Sequence, residues 1–142
     1  MLIEELVEQY QVLVNDVIEE IGNPFERSLW TRKPISKNLV KKSLDKNQLD
    51  TRFSPDDFDT GAPKNEVSTR LYHARRIAYL IKNYDPTPIV IECTNNIKML
   101  DGWHRLSAAI YNNQKYINVT YDGYEDCFNS LFPNSKKIKE IQ

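Results

Sequence analysis

Between residues 66 and 121 the apolar pattern switches period repeatedly, and the order of those switches limits the fold more than any other feature. Residues 67–82 repeat at helical spacing, with Leu71, Ala74, Ile77, Ala78 and Ile81 inward and Arg70, Arg75, Arg76 and Lys82 on other faces. Tyr84-Asp85-Pro86-Thr87-Pro88 breaks that helix. Ile89-Val90-Ile91 is a short β-branched run that reads as a buried strand. Thr94-Asn95-Asn96 is a turn signal, and Ile97-Lys98-Met99-Leu100 a second strand of a hairpin. Asp101-Gly102 leads into a helix over about residues 103–113, with Leu106, Ala109 and Ile110 facing the core. After a polar turn, Tyr116-Ile117-Asn118-Val119-Thr120-Tyr121 alternates as a strand. Helix, strand, strand, helix, strand predicts an α+β fold: a small mixed sheet with packed helices.

The flanks are read less directly. Ile3, Val7, Tyr10, Val14, Val17 and Ile21 alternate four and three apart, which predicts an N-terminal helix stopped by Gly22-Asn23-Pro24. Its apolar face either packs on the domain or forms a short coiled-coil contact in a homodimer. Trp30, Ile35, Leu39, Val40, Leu44 and Leu49 suggest one or two short helices amid basic side chains. Residues 54–63 read as a loop from their Pro, Gly and Asp content, without the spacing of a calcium-binding EF-hand. A short helix is expected around residues 128–132, and a fraying end from 136. The expected organisation is a helical extension (1–53), the α+β domain (54–125) and a packed tail (126–142).

A length of 142 residues suits one domain, and 40% hydrophobic with 27% charged residues suits a folded globular chain. No run is apolar enough for a membrane span, so no membrane partner is expected. The acidic start, MLIEELVEQYQ, does not resemble an export signal, and a cytoplasmic location is expected. Cys93 and Cys127 are far apart in sequence and suit a reducing compartment as small, mostly apolar residues. The net charge of -1 hides a basic block, including Arg32, Lys33, Lys37, Lys41 and Lys42. That block is a candidate nucleic-acid contact, or it pairs with the acidic N-terminal segment, or it is simply solvated.

The chemistry concentrates at Asp101-Gly102-Trp103-His104-Arg105-Leu106-Ser107-Ala108. A helix that begins straight after a strand exposes backbone N–H groups and the positive end of its dipole. Gly102 there lets a ligand or the turning chain come close, and Arg105 can grip a phosphate with two N–H groups. Ala108 is small enough for close helix–sheet packing. Together these residues predict an anion site. His104 either orients phosphate and moves a proton, or packs at the helix start. Asp101 either holds a magnesium ion through water or shapes the turn and caps the helix. Trp103 packs, or stacks on a base. His73 reads as a surface or packing residue, and no Cys/His spacing suggests zinc.

Gly102-x-x-Arg105-x-x-Ala108 resembles the phosphate-binding G-x-x-R-x-x-A motif of the ParB/sulfiredoxin superfamily. Asp101-Gly102-Trp103-His104-Arg105 resembles the DG-HR variant of ParB-like proteins. Thr87-Pro88-Ile89-Val90-Ile91 and Ile117-Asn118-Val119 resemble the family's flanking strands. The resemblance spans roughly residues 66–122. It implies a nucleotide-binding protein that takes ATP or another NTP with magnesium, and carries out phosphotransfer or hydrolysis. Gly102, Trp103, His104, Arg105 and Ala108 would bind the nucleotide. His104 and Asp101 would assist catalysis, and Glu66 would be the general base that related kinases place early in the domain. Two departures narrow this. Trp103 stands where sulfiredoxins carry their catalytic Cys, and only 19 residues follow Gly123, with no second phosphate motif and no DNA-binding helix-turn-helix. Peroxiredoxin repair and a CTP-gated DNA clamp are therefore disfavoured. A DNA- or RNA-binding protein or nuclease, and a non-catalytic interaction module, are the alternative expectations.

Overall fold

The strand Ile89–Cys93 (β2) buries every second side chain, with Ile89, Ile91 and Cys93 fully inside. The computed structural model describes residues 8–51 and 65–138. Around β2 stand β1 (Tyr10–Leu13), β3 (Ile97–Asp101), β4 (Tyr116–Gly123) and β5 (Lys136–Lys137) in one sheet of order β3-β2-β4-β1-β5. β2 and β4 run parallel, and the other pairs are antiparallel. The helices are α1 (Val14–Ile21), α2 (Lys37–Asp45), α3 (Glu66–Lys82), α4 (Trp103–Tyr111) and α5 (Glu125–Leu131), with a 3-10 turn at Pro24–Glu26. The protein is α+β with a mixed sheet, as the pattern of residues 66–121 requires.

The hairpin, both flanking helices and the strand after them lie where the apolar periods place them. Helix α3 starts where the Asn65 side chain accepts from Ser68 N, and α2 where Ser36 accepts from Leu39 N. The main core joins the sheet to α1, α4 and α5 through Val12, Val17, Leu106, Val119 and Phe128. A second cluster, Ile35, Val40, Ala74, Ile77 and Ala78, lies between α2 and α3. Helix α3 is thus covered on two sides, and Arg76, expected on an outer face, is only 7% exposed.

The N-terminal helix differs from expectation. Residues 10–13 form β1, which pairs Tyr10 with Val119 and Val12 with Ile117, and the helix begins only at Val14. The run Tyr10-x-Val12-x-Val14 also has period two, and an unpaired edge of β4 outweighs the local helical signal. Val14, Val17 and Ile21, the face expected in a coiled coil, are buried in this chain's own core. Ile3, Val7 and the 54–63 loop lie outside the described residues. Lys136 and Lys137 do not fray but pair with Gln11 and Tyr10 as β5.

Candidate anion site and a buried histidine pair

Strand β3 ends at Asp101 and α4 begins at Trp103, so Gly102 alone makes the corner, with φ 124°. A Cβ on Gly102 would overlap the Ile89 side chain, with its Cβ only 2.7 Å away. The close approach that needs this glycine is therefore the chain's own packing onto β2. Gly102, the N-cap of α4, brings no side-chain cap of its own. Asp101 does not cap the helix, contrary to one expectation. Its Oδ2 lies 3.3 Å from Arg105 Nη2, an i,i+4 ion pair.

Arg105 also donates to the Pro88 carbonyl at 3.2 Å, and its side chain is 13% exposed against 38% for Asp101. Arg105 Nε and Asp101 Oδ1 are both buried without a hydrogen-bond partner among the described residues. The pair thus holds unused donor and acceptor capacity, which in a native site calls for a ligand, water or ion. Arg105 lines a small cleft with Leu80, Tyr84, Asp85, Thr87 and Asn118. Arg76 sits on the same side of α3, one turn before Leu80. Its guanidinium lies 5.6 Å over the Tyr79 ring, and no ion pair is found for it among the described residues. A buried arginine raises the positive potential beside α4.

His104 is placed differently from a solvent-facing phosphate ligand. It is 1% exposed, and its Nε2 lies 2.7 Å from Nδ1 of His73, itself 3% exposed. One ring donates and the other accepts, so the two facing nitrogens share one proton. Trp30 stacks over both imidazoles, at 4.2 Å from His73 and 4.4 Å from His104, with planes within 9° and 6°. Tyr72 meets His73 edge-on at 4.9 Å. This cluster ties the 24–36 segment to α3 and α4. His73 is a packing residue, as one reading had it, but its partner was missed. The lone signal in the sequence is a His in each of two adjacent helices, which does not reveal that they meet.

The remaining candidates are dispersed. Trp103 is 7% exposed within the main core, with the Arg27 guanidinium 5.3 Å above its ring. Ala108 is buried on α4. Glu66 opens α3, where its Oε1 accepts from Arg32 N at 2.7 Å. Arg32, Lys33, Lys37, Lys41 and Lys42 are all exposed, and Lys41 pairs with Asp45 at 2.7 Å. No group of three or more metal-ligating side chains occurs among the described residues. No helix among them is long and apolar enough to cross a membrane.

No family model, characterised protein or solved structure matches this chain significantly.

Proposed function

We propose that the chain is a ParB-like nucleotide-binding protein that holds the phosphates of an NTP at the start of α4, with phosphotransfer or hydrolysis as the associated chemistry. The observation that carries this reading is the buried Nε of Arg105, without a hydrogen-bond partner among the described residues, at a helix start whose N-cap is a glycine. Backbone amides and a guanidinium at one place suit a multiply charged oxyanion, because both donate and neither accepts. Asp101 Oδ1, also unsatisfied, is the atom that would hold magnesium through water. Arg76 adds positive charge on the neighbouring helix. The histidines support the site from behind, since their rings are occupied by each other and by Trp30. Free thiols at Cys93 and Cys127 fit a reducing, cytoplasmic compartment.

The test is calorimetric titration of the full chain with ATP, CTP, GTP and inorganic tripolyphosphate, each with and without magnesium. At least one nucleotide should bind, and Arg105→Ala should weaken it roughly tenfold or more, the scale of a lost charged hydrogen bond. Arg105→Lys should recover only part of the affinity, because lysine lacks the planar fork. Heat from none of the four ligands would refute the reading.

A further inference from the structure

The chain has two cysteines, 34 positions apart, and the fold brings both to the end of β2. Cys93 ends β2, and Cys127 lies in the first turns of α5. The connection between them is tight: Gly123 stands opposite Cys93 in the β2–β4 register, and Tyr124 N donates to the Cys93 carbonyl at 2.8 Å. Cys127 Sγ reaches the carbonyl of Thr94, the residue that follows Cys93, at 3.9 Å. Cys127 packs against the core cluster that contains Cys93, and both thiols are reduced. Cys93 is fully buried, whereas Cys127 keeps partial exposure.

We propose that Cys127 and Cys93 form a dithiol site that reacts with small disulfides, Cys127 as the attacking thiol and Cys93 as the resolving one. In the first step the Cys127 thiolate attacks one sulfur of a glutathione-type disulfide. A Cys127–glutathione bond forms, the small disulfide breaks, and one glutathione thiolate leaves with the electron pair and takes up a proton. In the second step Cys93 loses its proton and attacks the Cys127 sulfur, which expels the second glutathione as a thiol. The protein's two thiols are oxidised to one disulfide, and one small disulfide is reduced to two thiols. Burial, followed by the neighbouring Cys127, pushes the Cys93 thiol up to about 12. Few Cys93 groups are thiolate at neutral pH, so the second step is the slow one and the Cys127 adduct accumulates first. The product bond would clamp α5, with Phe128 at its centre, to the end of β2.

The experiment treats the native full chain with oxidised glutathione and follows intact mass and free thiols with time. The expected course is a single-glutathione adduct on Cys127, then a mass lower than the starting chain by two hydrogens, with no free thiol left. The second phase should speed up about tenfold per pH unit above neutrality. Cys93→Ala should stop at the adduct. Cys127→Ala should react at least tenfold more slowly than the wild type while folded, and circular dichroism of each variant establishes that it is folded. Two stable adducts on one chain, first reaction at Cys93, or a folded chain that keeps both thiols would each overturn the proposal.

Discussion

At the scale of single residues, two small decisions shape the centre of this protein. Gly102 permits the sharp passage from β3 into α4, and that passage aims the helix start and Arg105 at one place. The other decision is the meeting of His73 and His104. Each gives the other's facing nitrogen its hydrogen bond in a place water does not reach. Removing either one leaves that nitrogen unmatched, at a cost of roughly 1–3 kcal/mol, beyond any cavity created. His73→Ala and His104→Ala should each lower the urea midpoint. The double variant should lose less than the sum, with a coupling of about 0.5–3 kcal/mol. Additive losses would show that the 2.7 Å contact contributes nothing of its own. None of this was legible in the sequence. A histidine within a helix carries no mark of its partner, and Trp30 sits in an irregular segment with no period to interpret.

At the scale of elements, legibility follows how local the determining contacts are. Helix α3, the β2–β3 hairpin, α4 and β4 were readable because each satisfies its pattern within its own residues. Strand β1 was not, because Tyr10 fits a helical spacing with Val14 as well as an alternation with Val12 until β4 offers an edge. The candidate site was readable in part: Gly102 and Arg105 fall together at the corner, while Glu66 stands at the start of another helix. Strand β1 also carries a pH dependence. Burial, followed by the hydrogen bond to Glu8, raises the Tyr10 phenol above its ordinary value, and burial raises Tyr121 as well. A raised phenol favours the neutral form in the folded chain. Its contribution is complete below the unfolded value of about 10 and is lost as pH rises toward the folded value. The denaturation midpoint should therefore fall between about pH 9 and pH 11. Tyr10→Phe should fall less steeply over that range, with a residual slope from Tyr121 and Cys93. An equal slope in the variant would remove Tyr10 from the account.

At the scale of the whole molecule, the sheet does not divide into an extension and a domain. β1 lies between β4 and β5, and Val12, Val14, Val17 and Ile21 are part of the main core. Deleting residues 1–21 removes a central strand and the helix that covers it. The shortened chain should lack a cooperative thermal transition and show collapsed amide dispersion in its NMR spectrum. A well-dispersed spectrum would instead mean that residues 22–142 fold on their own.

The position of β1 also sets an order of events as the chain is made. Thr120 donates to the Glu8 carbonyl across 112 positions, and Lys137 reaches the Glu8 carboxylate at 2.7 Å. The segment synthesised early must wait, without a partner, for strands that emerge last. The β2–β3 hairpin and its helices can assemble meanwhile, since their contacts are short in sequence. Until β4 arrives, Tyr10 and Val12 remain on an uncovered apolar strand, open to any other strand edge nearby. Conditions that slow the last third of synthesis should therefore favour aggregation over folding.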